Sequence, residues 1–109
     1  MKEIVEYYRK KGILFRSLKH IPTKELGSRK KVEIYLGVDT NTYYTMIIFI
    51  EKKSRILRKE AEEIMLFHDK LEKQISSKIL KKYTLIKAPL CSKAKKSMEE
   101  KGWKVEEVG

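Results

Sequence analysis

Four charged residues crowd the point where an apolar run stops: Y-Y-T-M-I-I-F-I is followed by Glu51, Lys52, Lys53 and, after Ser54, Arg55. In an extended chain alternate side chains share a face, so Glu51 and Lys53 project together, about 7 Å apart. Two more acids bracket the preceding run V-E-I-Y-L-G-V-D, Glu33 near its start and Asp39 at its end. Two carboxylates held close offer the hard oxygen ligands that Mg²⁺ prefers. Such an ion activates water and offsets charge at a phosphate, while a neighbouring lysine holds the water or stabilises the developing anion. These residue types would therefore hydrolyse a phosphodiester. The catalytic set is Glu51, Lys53 and either Asp39 or Glu33, with Asp39 and Glu51 as the expected metal ligands. The competing reading is a strand end that has merely reached solvent.

The elements that must position these groups follow from periodicity. Lys2 to Lys11 reads as a helix with Ile4, Val5 and Tyr8 on one face and Gly12 as its stop. Ile13 to Ile21 alternates as a strand, with Leu14, Arg16 and Leu18 on one side and Ile13, Phe15 and Ser17 on the other. Pro22 to Lys31 has loop composition. Val32 to Asp39 and Tyr43 to Lys53 read as two strands of an antiparallel hairpin. A helix is predicted from about Ile56 to Ile75, with Ala61, Ile64, Met65, His68, Leu71 and Ile75 on one face. Tyr83 to Pro89 is a short interior strand, Ser92 caps a helix over Lys93 to Lys101, and Trp103 to Val108 is a last strand. The order α-β-β-β-α-β-α-β implies one α/β domain over residues 1–109, a mixed sheet flanked by helices.

Hairpin register decides which acid meets Glu51. A loop of Asn41, Thr42 and Tyr43 sets Glu33 opposite Glu51 on the same face. A loop of Asn41 and Thr42 alone turns Glu33 to the other face.

With Glu51-Lys52-Lys53 as E-x-K and Asp39 upstream as the first acid, the chain resembles the PD-(D/E)XK nucleases, the restriction-endonuclease-like and Holliday-junction-resolvase-like group. The resemblance covers Lys2 to Pro89. It implies a restriction-endonuclease-like core, acids that bind metal and a lysine that assists the attacking water. It also implies a carboxylate from the first helix, Glu3 or Glu6. The residue before Asp39 is Val38 rather than proline, and Lys52 stands where the family usually has an apolar residue. A second resemblance, on Ile34 to Thr40, is to the opening strand of ribonuclease-H-like enzymes, whose first metal ligand is that aspartate. Those enzymes generally use another carboxylate on a later strand, and Tyr83 to Pro89 supplies only Lys87.

Charge points to a partner. The 109 residues carry a formal net charge of +11, and residues 1–31 hold ten Lys or Arg against three Glu. Such an excess favours a polyanion, with DNA or RNA as the expected partner. Arg29, Lys30, Lys31, Lys52, Arg55, Arg58 and Lys59 are expected to form one basic patch beside the site. Asn41 and Gln74 are the only side-chain amides, a thermophile-like pattern. No window is long enough to cross a bilayer and the N-terminus has no targeting pattern, so a cytoplasmic protein without a membrane partner is expected.

The remaining chemistry is thin. Cys91 is the only cysteine, which excludes an intramolecular disulfide and a cysteine-based zinc site. It reads as a small buried residue at a strand–helix junction, although Lys93 and a helix start would favour its thiolate. His68, on the apolar stripe, reads as a satisfied core or interface histidine, and His20 has no partner visible in sequence. Tyr7, Tyr8, Tyr35, Tyr43 and Tyr44 would stack on bases if exposed. Two further functions fit the composition: a nucleic-acid-binding module of similar fold without catalysis, and an interaction protein that dimerises through the hairpin or the His68 helix. A nuclease that cuts two strands would act as a homodimer, by analogy with the resembling family.

Overall fold

The amphipathic segments collapse onto the two faces of one sheet. The computed structural model describes residues 2–108, except for the side chains of residues 2 and 3. The elements are α1 (Lys2–Lys10), β1 (Phe15–Ile21), a short 3₁₀ turn (Thr23–Leu26), β2 (Glu33–Asp39), β3 (Tyr44–Glu51), α2 (Arg58–Ile75), β4 (Lys81–Lys87), α3 (Ser92–Glu100) and β5 (Lys104–Glu107). The strands lie in sequence order across the sheet. The first three form an antiparallel meander, and β3, β4 and β5 are parallel. This is the expected α-β-β-β-α-β-α-β order, in one α/β domain with a mixed five-stranded sheet.

Alternation along β3 divides the core. Met46, Ile48 and Ile50 point towards α2 and α3, where Ile34, Ile64, Leu71, Ile86 and Met98 join them. Full burial of each such side chain is worth about 1.5–3 kcal/mol, so this larger layer supplies most of the stabilisation. On the other face Ile47 packs with Tyr35 and Tyr83 beneath Ile4 and Tyr8 of α1. Tyr8 meets Tyr83 and Phe15 at ring distances of 5.2 and 6.1 Å.

Two details of the meander depart from simple alternation. A bulge between Phe15 and Ser17 shifts the register of β1. As a result Phe15 and Leu18, expected on opposite sides, both pack under α1. Their side chains lie over Gly37, where an added Cβ would sit 3.0 Å from Phe15 and 3.1 Å from Leu18, so any larger residue requires these two side chains to shift. The β2–β3 loop is Thr40-Asn41-Thr42, with Asp39 and Tyr43 closing it and Thr42 at φ +69. Glu33 therefore pairs with Phe49. This is neither of the two expected registers. It is shifted by two residues from the first, which keeps Glu33 and Glu51 on one face.

Other boundaries moved by a residue or two. Cys91, rather than Ser92, is the N-cap residue of α3, and its carbonyl accepts the Lys95 N–H. No helix among the described residues is long and apolar enough to cross a membrane.

Candidate active site

β3 ends at Glu51 because the chain bends there. After a last bond from the Lys52 N–H to Lys87 O, residues 53–55 leave the sheet, and pairing resumes at an isolated bridge between Ile56 and Leu90. Glu51 remains inside the ladder, on the same face as Phe49 and Ile47. Glu33 on β2 pairs with Phe49, so Glu33 and Glu51 are diagonal neighbours. Such neighbours are roughly 7–8 Å apart at Cα, within reach of long side chains. Both carboxylates are exposed, and each has one nitrogen-bearing side chain on its outer side. His20 Nε2 of β1 lies 2.6 Å from Glu33 Oε2, and Lys87 Nζ of β4 lies 3.4 Å from Glu51 Oε2. The His20 ring also packs against Tyr35, with centroids 5.3 Å apart. One end of one sheet face thus presents His20, Glu33, Glu51 and Lys87 in order across four strands.

Asp39 is not part of this row. It stands at the opposite end of the hairpin, eight residues along β3 from Glu51, which is roughly 27 Å at strand rise. It is 4 % exposed. Its Oδ1 accepts the N–H groups of Asn41 and Tyr43, each at 2.9 Å, and its Oδ2 accepts Lys81 Nζ at 2.8 Å. The Lys81 ammonium, then the Tyr43 N–H, holds its carboxyl below the ordinary carboxylate value. Asp39 is thus the acid that shapes and closes the turn. The expected metal pair of Asp39 and Glu51 does not assemble, because a long hairpin separates its start from its tip. The ribonuclease-H-like arrangement fails at the same residue, since the β4 neighbour of Asp39 is Lys81.

Lys53 lies in the bend after β3 and is exposed. Of the first-helix acids, Glu6 is exposed near Arg9 (3.9 Å), and the Glu3 side chain lies outside the described residues.

The basic patch is partly neutralised. Lys30, Lys52 and Arg58 pair with Glu63, Glu60 and Glu62 of α2. Arg29, Lys31, Lys53, Arg55 and Lys59 are exposed and have no ion-pair partner among the described residues. A cleft of about 440 Å³ opens beside Glu33, lined by His20, Lys24, Lys30, Lys31 and Glu33. Of the tyrosines expected to meet bases, Tyr8 and Tyr35 are buried and Tyr43 is exposed.

Sequence reasoning missed His20, Lys24 and Lys87 as neighbours of the site. The available signal for Lys87 was that I-I-F-I-E and Y-T-L-I-K are both apolar strands ending in a charge. Parallel in-register pairing brings those ends together.

Two exposed carboxylates on one face are oxygen donors of the kind that Mg²⁺ takes while keeping several waters. Elsewhere, one His/acid group among the described residues has ligand atoms within 4.8 Å of one another: His68, Asp69 and Glu72 on α2. Two of these groups, His68 and Glu72, already hold the turn after α2. Glu72 Oε2 accepts the Ile79 N–H at 2.7 Å, and His68 Nε2 lies 3.2 Å from Ile79 O. The His68 ring stands edge-on to Trp103 at 6.2 Å, as a satisfied, half-buried histidine. Backbone N–H groups of Ala94, then Lys93, hold the half-buried Cys91 thiol below its ordinary value.

No family model and no curated protein matches the sequence. Two solved structures resemble the fold. One is described as the structure of EndoMS in apo form, with a TM-score of 0.58 and 12% identity over 89% of this chain and 38% of that one. The other is a repair endonuclease from Pyrococcus abyssi, with a TM-score of 0.55 and 17% identity over 98% of this chain and 44% of that one. The chain spans less than half the length of either protein. At these identities the likeness extends to the fold alone.

Proposed function

We propose that this chain is a metal-dependent nuclease domain that hydrolyses phosphodiester bonds in DNA or RNA at the Glu33–Glu51 end of its sheet. The observation that carries the reading is the placement of two exposed carboxylates on neighbouring strands, facing the same way, beside a lysine-lined cleft. Glu33 and Glu51 would hold Mg²⁺, which when bound supplies an activated water and neutralises phosphate charge. The chain's own residues set the rest. His20 holds the outer oxygen of Glu33, an ammonium beside Glu51 faces the phosphate, and Lys24 and Lys31 attract the flanking phosphate chain. The resemblance to endonuclease folds supports the reaction class by analogy. A homodimer would place two such sites on the two strands of a duplex.

The test is to incubate the purified chain with duplex, branched and single-stranded DNA and RNA, with Mg²⁺ or Mn²⁺. Metal-dependent cleavage that disappears in Glu51→Ala is the expected result. Salt-sensitive binding, with neither cleavage nor metal dependence, would replace the reading with a non-catalytic nucleic-acid-binding module. A chain that binds no nucleic acid in moderate salt would instead point to an interaction protein.

A further inference from the structure

The E-x-K pattern directs attention to Lys53, but the sheet gives Glu51 a different cationic neighbour. β3 and β4 run parallel and in register, so Glu51 and Lys87 stand side by side as the last residues of their strands. The strand pairing fixes both backbones, and the Lys52 N–H continues it by bonding to Lys87 O. Lys53 follows that last bond and sits in the bend. Glu51 and Lys87 are more than half exposed, at 59% and 53%. An ion pair so wet adds little to stability, so holding the fold together does not account for it. The carboxyl ends of parallel strands are also where open α/β sheets gather their ligands.

We propose that Lys87, rather than Lys53, supplies the ammonium of this site. The inference rests on the phosphodiesterase reading above. As water adds to phosphorus, negative charge grows on the non-bridging oxygens, and the Lys87 ammonium beside Glu51 offsets it. The water oxygen forms the new P–O bond, and the bond from phosphorus to the leaving sugar oxygen breaks. The attacking water gives its proton to solvent, and the leaving oxygen takes one from solvent. Lys87 keeps its proton throughout and acts by charge alone.

The experiment compares Lys87→Ala, Lys87→Arg and Lys53→Ala with the native chain in two assays. One is cleavage at saturating substrate. The other is Mn²⁺ binding by calorimetry without nucleic acid. Lys87→Ala is expected to lose on the order of 10²-fold in rate or more, and Lys87→Arg to recover part of it. Lys53→Ala is expected to lose far less. Mn²⁺ binding by Lys87→Ala should hold or tighten severalfold, because an ammonium competing for Glu51 is gone. A purely structural role would instead weaken Mn²⁺ binding. Full activity in Lys87→Ala, an equal loss in Lys53→Ala, or weakened Mn²⁺ binding each overturns the assignment of Lys87 while leaving the nuclease reading in place. A native chain that cuts none of the substrates overturns both.

Discussion

The β2–β3 hairpin holds an acid at its tip and two at its open end, and it treats them in opposite ways. Asp39, at the tip, is buried and uses its oxygens on two backbone N–H groups and the Lys81 ammonium. Glu33 and Glu51, at the open end, are exposed, and each has one partner that solvent or a ligand can displace. An acid with its lone pairs satisfied inside the fold is a structural part, and binding a metal there would cost the turn. Loosely paired acids on a rigid ladder are available for chemistry. Burial and register, rather than residue type, separate the two roles.

The largest expected effect that could break this comparison comes from paired substitutions. Glu51→Ala should lose about 10²-fold or more in cleavage rate while its melting temperature stays near that of the native chain. Asp39→Ala should do the reverse, with a clear drop in melting temperature and turnover retained by the folded fraction. Parallel melting curves and cleavage assays check both, and a swap of the two phenotypes would reverse the assignment.

Acid titration sharpens the same contrast. The folded-state pKa of Asp39 is depressed, so its contribution to stability is present above the ordinary value of 3.8. It fades as pH falls through the lower folded value. The stability gap between the native chain and Asp39→Asn should therefore be flat near neutrality and narrow below about pH 4. Denaturant melts across that range measure it.

At the open end, His20 acts through Glu33. His20→Ala should weaken Mn²⁺ binding by about tenfold, the low end for losing a group that orients a metal ligand. His20→Gln should restore part of it, as read by calorimetry. A smaller effect is expected from Lys31→Ala, which should flatten the log–log salt dependence of nucleic-acid binding by about 0.9 if Lys31 meets one phosphate. Retardation assays at several salt concentrations measure that slope.

Much of the fold was legible because its signals are local. The apolar run I-I-F-I before Glu51, the apolar face from about Ile56 to Ile75 and the loop composition around Gly27 each specify an element without reference to the others. The site was only half legible. Glu51 announced itself as a charge ending an apolar run. Its partners depend on pairing between strands, which the loop Thr40-Asn41-Thr42 and the bulge near Phe15 determine. Neither is visible in residue spacing. A shift of two residues in register kept Glu33 on the face of Glu51, whereas hairpin length placed Asp39 out of reach. Lys87 lies 36 positions from Glu51 in the chain and becomes its neighbour only through the parallel crossover. The basic patch was overcounted partly for the same reason: Glu63 and Glu60 of α2 meet Lys30 and Lys52 only in the folded chain, whereas Arg58 and Glu62 are a local pair one helical turn apart.

The most direct measurement is anomalous diffraction from crystals soaked in Mn²⁺. The expected result is a peak between the carboxylates of Glu33 and Glu51, on the face that carries His20 and Lys87. A peak at His68, Asp69 and Glu72 instead, or none at Glu33 and Glu51 in Mn²⁺ that supports cleavage, would contradict it.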